Sequence, residues 1–301
     1  MIDDVEKYVS LRRALGFALQ HTDRILRQFA RFATRRREHH IRIATAIEFA
    51  RRSSSPERRE HVLSKIRMFA RHLRAADRRH EVIPARVFSN DPYPRPTPFI
   101  FTAPQVTALV DAAFKLEPTD WLRPETFGTL FALLATAGLR ISEALGLRYD
   151  DVTVDGLRIR NTKFHKNRLV PLHATVATKL DAYLRRRRKL LGNTVFVGSG
   201  SGRPLTYQQV KVMYKKLLSS IGIERRPGQP RPRLHCLRHT VAVRVLERCP
   251  PDRTRIARHQ LALMTMLGHT HVNCTYWYLE NTPELLGGIA WVSKQQVRGY
   301  S

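Results

Sequence analysis

The sequence predicts a mainly α-helical (α+β) fold with a small N-terminal helical domain and a larger, mostly helical second domain that contains a small β-hairpin or sheet. Three observations predict it. Apolar residues recur at helical spacing through residues 5–88, prolines cluster in residues 92–98, and two short alternating runs stand among helical stretches in residues 156–172. Helical spacing and strand alternation are the main sequence signals of the two element types.

The N-terminal domain is predicted to span residues 1–88 and to contain four helices. Gly16 separates the first two helices, and the segment Ser53–Pro56 separates the last two, with Ser55 placed to cap the fourth. Serine favours this position because its hydroxyl accepts a hydrogen bond from a free backbone N–H of the first turn.

A linker is predicted over residues 89–99, where four prolines stand between positions 92 and 98. Proline disfavours helix and favours an extended, semi-rigid connector. The second domain is predicted over residues 100–301, and Thr102 with Gln105 forms a helix-start signal near its beginning.

The second domain is predicted to be helical on both sides of a hairpin. The predicted helices cover residues 106–116, 125–137, 142–147, 174–191, 206–220, 236–248 and 256–266, with Gly138 ending the second of them. The hairpin pairs residues 156–160 with 168–172, and residues 195–197 are a further candidate strand. Prolines 250 and 251 predict an extended loop over residues 250–255.

The charge of the chain predicts a polyanionic partner. Its 301 residues contain 53 Lys and Arg against 25 Asp and Glu, a net charge of +28. Basic side chains exceed acidic ones in residues 1–99 (22 against 11) and in residues 100–301 (31 against 14). Charge spread over two folded domains is typical of proteins that lie along nucleic acid. The arginine runs at 35–37 and 51–52 are assigned to phosphate contact.

No membrane, secretion or disulfide signal stands out. The sequence has no apolar stretch of membrane-spanning length, and residues 1–4 have neither a basic nor an apolar leader region. The three cysteines, Cys236, Cys249 and Cys274, lack the spacing of a disulfide framework or a four-cysteine zinc site. We therefore expect a soluble, cytoplasmic protein with no metal or cofactor.

Four separated clusters contain residue types suited to phosphate chemistry. In the first, Arg140 follows Gly138 at a helix junction, where it could face a ligand or pair with Glu143. In the second, Lys163 and Lys166 lie on the predicted hairpin turn. A lysine there can donate a proton if its surroundings lower its pKa, or can belong to a solvated basic turn.

The other two clusters supply histidine, arginine and tyrosine. His235 and Arg238 are three residues apart on one face of a predicted helix, where imidazole and guanidinium can cradle a phosphoryl group. The fourth cluster contains His269, Tyr276 and Tyr278. A tyrosine hydroxyl attacks phosphorus when nearby cations stabilise its phenolate, so either tyrosine is a candidate, and both are also candidate packing residues.

Taken in order, the clusters resemble the tyrosine recombinase (phage integrase) family over roughly residues 100–280. The motifs that carry the resemblance are Gly138-Leu139-Arg140-Ile141-Ser142-Glu143, His235-x-Leu237-Arg238-His239, and Leu267-Gly268-His269 followed by Tyr278. The family's interval between this histidine and its tyrosine selects Tyr278 over Tyr276. The segments at 250–255 and 275–286 are similar to those of recombinases carried on transposon-like elements.

The resemblance implies a role for six residues. Arg140 and Arg238 would clamp the scissile phosphate. His235 and His269 would assist by hydrogen bonding and proton transfer. Lys163 would protonate the leaving 5′ oxygen and Tyr278 would be the nucleophile, with no metal required. Many relatives have glycines on both sides of the lysine, where this chain has Thr162 and Phe164, so Lys166 stays an alternative general acid.

The resemblance also implies roles for the domains and partners. Residues 1–88 would be a core-binding, DNA-binding domain, and residues 100–301 a catalytic domain with a C-terminal tail at 280–301. The implied partner is double-stranded DNA with specific recombination sites, bound at the nucleoid by a homo- or hetero-tetramer that can include partner recombinases. The helix expected at Glu284–Trp291 would pack on a neighbouring subunit or on its own chain.

Three other functions fit parts of the sequence. A metal-dependent, relaxase-type nickase would use His269, His271 and Tyr278, but a third ligand and a surrounding sheet pattern are missing. A non-catalytic DNA-binding accessory protein of a mobile element would keep the fold for binding alone. A type IB topoisomerase shares the chemistry, but a basic two-domain chain of this length better suits a recombinase.

Overall fold

The computed structural model describes residues 1–17, 19–88, 97–117, 122–160, 167–188, 192–198, 202–224, 226–249, 253–269 and 278. Its contacts divide the chain into two compact units, Met1–Arg95 and Pro96–Ser301. Each unit has a hydrophobic core of its own.

The N-terminal unit contains the four predicted helices. They are α1 (Ile2–Ala14), α2 (Gln20–Arg35), α3 (Ile43–Arg51) and α4 (Pro56–Ala76). Gly16 has a positive φ of 85° just after α1, a backbone conformation that glycine adopts without steric cost. Ser55 caps α4, because its hydroxyl accepts a hydrogen bond from the Arg58 N–H at 3.3 Å. Leu26, Phe29 and Phe69 are fully buried between the helices.

The second unit contains seven α-helices among its described residues. They are α5 (Ala103–Phe114), α6 (Arg123–Ala137), α7 (Ile141–Leu145), α8 (Ala174–Arg187), α9 (Tyr207–Ser220), α10 (Cys236–Glu247) and α11 (Arg253–Leu267). The predicted helix start is confirmed, since Thr102 and Gln105 form a reciprocal capping box on α5. Helix α6 is buried along most of its length and packs against α5, α8 and α10, which makes it the centre of the unit.

A small antiparallel sheet lies between α7 and α8. Its strands are β1 (Val152–Thr153), β2 (Gly156–Ile159) and β3 (Arg168–Val170), in the order β1-β2-β3. The predicted hairpin is confirmed as the β2–β3 pair, with Leu157 opposite Val170 and Ile159 opposite Arg168. The short strand β1 was missed in the sequence because two residues are too few to show an alternation.

Two predicted elements differ from the structure. Residues 195–197 form no strand. All three are buried, and bends at residues 195 and 196 separate two isolated bridges, from Thr194 to Arg148 and from Val197 to Pro204, so the segment forms no continuous strand. The loop predicted at 250–255 is too long, because α11 begins at Arg253. A proline disrupts a helix interior but is compatible with a position before the helix begins.

No helix within the described residues is both long enough and apolar enough to cross a membrane.

Candidate active site

The junction between α6 and α7 places Arg140 at the surface of the second unit. Gly138 ends α6 with a φ of 61°, and a Cβ there would come within 2.9 Å of Leu267 Cδ2. Glycine is therefore required both for the turn and for the close approach of α11. Arg140 then stands at the N-terminus of α7 with its side chain one-third exposed.

Arg238 joins the ends of two helices from a buried position on α10. Its guanidinium donates to the Gly138 carbonyl at 2.7 Å and to the Leu267 carbonyl at 2.5 Å, which are the ends of α6 and α11. Burial, together with the nearby charge of Arg140, lowers the pKa of Arg238 to about 10. The side chain is still a cation at neutral pH.

The carbonyl groups at the C-terminal end of α11 accept hydrogen bonds from arginine side chains. Gly268 has a φ of 65°, and the N–H groups of Gly268 and His269 bond back to the Thr265 and Met264 carbonyls, which is a Schellman ending. The last carbonyls of a helix lack backbone partners and carry partial negative charge. Here Arg140 donates to the Gly268 carbonyl at 3.0 Å, so both arginines are anchored on this ending.

Glu143 and Arg168 form a buried ion pair beside Arg140. Arg168, at the start of β3, donates to both carboxylate oxygens of Glu143 at 3.0 and 2.8 Å and to the Met266 carbonyl at 2.8 Å. Glu143 also accepts from the backbone and guanidinium of Arg140. Burial alone would raise the pKa of Glu143, but the hydrogen bonds from Arg168 and Arg140 outweigh it and lower the pKa to about 2.

Arg168 is not among the site residues that the sequence predicts, and Glu143 is predicted only as a partner of Arg140. The pairing that the sequence offered, Arg140 with Glu143, is present at 2.8 Å, yet Arg140 also faces the site. A signal for Arg168 did exist. It lies two residues before Val170 on a strand, so it shares the buried face of the sheet, and a cation on a buried face requires a carboxylate or carbonyl partner.

His235 and His269 face this group of cations. His235 keeps an exposed edge, but the protein atoms crowded around it and the charges of Arg238 and Arg140 lower its pKa to about 4. Burial and the charges of Arg238, Arg140 and other neighbours lower the pKa of His269 to about 3. Both imidazoles are therefore neutral at pH 7 in the DNA-free chain.

Tyr278 contacts His269 and His239, with only 3% of its surface exposed. It packs in an apolar cluster with residues of α10 and α11, including Leu246, Leu263 and Leu267. Its ring is stacked on that of His269, with centroids 6.2 Å apart, and its hydroxyl lies 2.9 Å from Nδ1 of His239.

The structure thus brings together five of the six predicted site residues. Arg140, His235, Arg238, His269 and Tyr278 come from three separated parts of the sequence, and each lies within electrostatic or ring contact of at least one other. Lys163, Lys166 and Tyr276 lie outside the described residues, as does His271. Within the described part of the chain, no group of three His, Cys, Asp or Glu residues could hold a metal ion.

A known protein family matches the part of the chain that contains α6, α7, α10 and α11. The model of the phage integrase family matches residues 100–284, which is more than half of the chain. The chain belongs to the phage integrase family. It is therefore a tyrosine recombinase, and recombinases of this family carry out site-specific DNA recombination.

Relatives and solved structures agree with this assignment. The recombinase is 35% identical to the integrase/recombinase-like protein y4rB of Sinorhizobium fredii, over 94% of this chain and 93% of that protein. It is 33% identical to tyrosine recombinase XerC of Methylobacterium sp. strain 4-46, over 72% of this chain and 64% of XerC. Its fold is similar to that of the Tn1549 transposon integrase solved with transposon right-end DNA, with a TM-score of 0.63 at 17% identity over 91% of this chain and 94% of that one.

Proposed function

We propose that this recombinase cuts and rejoins double-stranded DNA through a covalent 3′-phosphotyrosyl intermediate formed by Tyr278. The observation that carries the proposal is the position of the Tyr278 hydroxyl, which lies beside His239 and His269 and within electrostatic range of Arg238. In-line attack by this hydroxyl on a DNA phosphate releases a 5′ hydroxyl. The phosphodiester energy is conserved in the tyrosyl ester, so the same step in reverse joins a new strand.

Arg140 and Arg238 are proposed to bind the non-bridging oxygens of the scissile phosphate. Both guanidinium groups are fixed by carbonyls at the end of α11, so they need no reorganisation when the pentacovalent transition state forms. A preorganised charge of this kind typically contributes about 10²–10³-fold to the rate. Two such groups supply the charge neutralisation that metal ions supply in other phosphoryl-transfer enzymes.

His235 and His269 are proposed to donate hydrogen bonds to the same phosphate. Their low pKa values keep them neutral before DNA binds, so each ring has one N–H donor in the free enzyme. The negative phosphate raises both pKa values on binding, because an opposite charge stabilises the protonated form. Lys163 is proposed as the general acid for the leaving 5′ oxygen, with Lys166 as the alternative.

The N-terminal unit is proposed to hold the flanking duplex through a basic groove. The groove has a volume of about 1100 Å³ and is lined by five arginines, Arg24, Arg31, Arg35, Arg52 and Arg58. Within the described residues, none of the five forms an ion pair with a carboxylate, although other arginines of the same unit do. A concave surface with five guanidinium groups against one carboxylate, that of Glu57, suits a row of phosphates.

We further propose that four copies act together on specific sites of a mobile element. Each chain offers one Tyr278, and recombination of two duplexes breaks four strands, so four tyrosines are required. Four chains per pair of duplexes in the synapsed complex, measured by light scattering, is the expected stoichiometry. A complex with two chains that still exchanges all four strands would contradict it.

Covalent trapping tests the chemistry. The protein is incubated in EDTA with sheared genomic DNA of its source, quenched with detergent, and the DNA ends that remain on protein are sequenced. We expect 3′ ends clustered at a few loci for the wild type and none for Tyr278→Phe. Salt-sensitive DNA binding without any adduct would favour a DNA-binding accessory protein, and an adduct that appears only when a divalent metal is restored would favour a nickase.

A further inference from the structure

His239 has no role in the phosphate clamp, yet it makes a direct contact with the proposed nucleophile. It follows Arg238 on α10, and its Nδ1 lies 2.9 Å from the hydroxyl oxygen of Tyr278. The two rings are tilted by 57°, with centroids 5.5 Å apart. By contrast, His269 lies parallel to the tyrosine ring, which is a packing arrangement.

The surroundings of Tyr278 favour transfer of its proton to a neighbouring protein group over transfer to bulk water. The side chain is buried against Leu263 and Leu267, so bulk water has little access to it. A phenol with a pKa near 10 is almost wholly protonated at pH 7, and it becomes an effective nucleophile only as the proton leaves. Among the described residues, the rings of His239 and His269 contact Tyr278, and the Nδ1 atom of His239 lies at hydrogen-bonding distance from the hydroxyl.

We propose that His239 is the general base of the cleavage step. This inference rests on the proposed role of Tyr278. As the tyrosine oxygen bonds to phosphorus, its proton passes to Nδ1 of His239, the P–O5′ bond breaks, and the 5′ oxygen takes a proton from the general acid. His239 ends the step as an imidazolium. In the joining step it returns the proton to the tyrosine oxygen as that oxygen leaves phosphorus.

The charges that face His239 are compatible with this step. Acceptance at Nδ1 requires a neutral ring with its proton on Nε2. The ring of His235 stands perpendicular to that of His239, with centroids 4.7 Å apart. Tyr278 contacts His239 and is itself stacked on His269, and Arg238 is the neighbour of His239 on α10. The scissile phosphate brings the negative charge that stabilises the imidazolium during the reaction.

The test isolates nucleophile activation from leaving-group protonation. The substrate is the duplex identified by end mapping, with sulfur in place of the bridging 5′ oxygen at the cleaved bond. A thiolate leaves without a general acid, so the single-turnover rate of adduct formation reports only on the nucleophile. The rate is measured from pH 5 to pH 9.5 for the wild type, His239→Asn, His259→Asn and Tyr278→Phe.

His239→Asn keeps a hydrogen-bond acceptor near the position of Nδ1 but cannot take up a proton. We expect this variant to react about 10²-fold more slowly at pH 7, with a rate that rises through pH 9.5, whereas the wild-type rate levels off above the histidine range. His259→Asn makes the same change on α11, where the ring bonds to a backbone carbonyl, and should match the wild type.

Each contrary result has a distinct meaning. A wild-type pH profile in His239→Asn, with Tyr278→Phe inactive, overturns the role of His239 and leaves the proposed function intact. An adduct formed by Tyr278→Phe overturns both. A slow His239→Asn variant whose profile keeps the wild-type shape would make His239 a positioning residue and would also overturn the general-base role. Thermal unfolding of each variant separates these results from misfolding.

Discussion

At the scale of single residues, the carboxylate of Glu143 determines the geometry of the arginine cluster. Its side chain pairs with Arg168 and Arg140 at the same time, and only 8% of that side chain is exposed. Replacing it by glutamine leaves two guanidinium groups without their counter-charge. Since removal of one partner from a buried pair costs about 3–5 kcal/mol, we expect Glu143→Gln to lower the free energy of unfolding by about 3 kcal/mol in urea denaturation.

The exposed pair Asp181–Arg185 provides the matched control for Glu143→Gln. Asp181→Asn removes an equivalent charge from a solvent-exposed ion pair and should cost less than about 1 kcal/mol. The two variants also differ in pH dependence. Because the pKa of Glu143 falls from 4.5 to about 2 on folding, its stabilisation is complete above pH 4.5 and is lost as the pH falls from there toward 2. A difference from wild type that stays constant down to pH 3 would contradict this account.

Gly268 is a second residue on which the site depends. Its φ is 65°, and a Cβ would come within 2.8 Å of the Arg168 guanidinium. Gly268→Ala therefore combines backbone strain with displacement of a buried ion pair. Gly222 has a similar φ of 70° but open space around it, so Gly222→Ala measures the strain alone.

We expect Gly268→Ala to be less stable than Gly222→Ala by about 1–3 kcal/mol, the usual cost of an overpacked site. Adduct formation should fall only in Gly268→Ala, because its clash moves the carbonyls that anchor Arg140 and Arg238. Equal losses of stability and activity in the two variants would show that the space around Gly268 is unimportant.

At the scale of elements, Arg168 ties a strand to two helices. From β3 it reaches the carboxylate of Glu143 on α7 and the Met266 carbonyl near the end of α11. A lysine keeps the charge but lacks the planar fork needed for three directed hydrogen bonds. We expect Arg168→Lys to slow adduct formation at least about tenfold while DNA affinity changes less than twofold.

Arg158 offers the control for Arg168→Lys, since it lies on the adjacent strand β2 with its side chain exposed. Arg158→Lys should retain wild-type rates of adduct formation, measured with the same DNA. An equal loss of DNA affinity and of adduct formation in Arg168→Lys would identify Arg168 as a DNA contact and not as a link between elements.

The elements themselves were largely predictable from sequence, whereas the links between them were not. The caps at Ser55 and Thr102 and the break at Gly138 are local signals, and the structure contains all three.

Family motifs identified five site residues that the fold brings together. The bond between His239 and Tyr278 and the ion pair of Arg168 with Glu143 are tertiary contacts between distant segments, and no local pattern identifies the partner in either contact. The sequence predicts a strand at 195–197, where the structure has a buried segment that is not a strand. A short run of apolar residues is expected for both, so the sequence cannot distinguish them.

At the scale of the whole molecule, the excess of basic side chains predicts salt-dependent binding to DNA. The net charge is +28, and the basic side chains of the N-terminal unit include the five arginines of the basic groove. Cations that contact phosphates release counterions, so their number appears as the slope of log affinity against log salt concentration, about −0.9 for each phosphate neutralised. The slope therefore distinguishes arginines that contact DNA phosphates from those that only add to the long-range electrostatic potential of the protein.

Neutralising three groove arginines tests this distinction. Arg24, Arg31 and Arg52 are each replaced by glutamine in one variant, and the exposed residues Lys7, Arg71 and Arg78, which do not line the groove, are replaced by glutamine in another. Both variants lose three charges, so the long-range potential weakens equally. We expect the salt slope on a random-sequence duplex, measured by fluorescence anisotropy, to become shallower by about 2–3 in the groove variant only. Equal changes would mean that DNA responds to the net charge and that the groove has no special role.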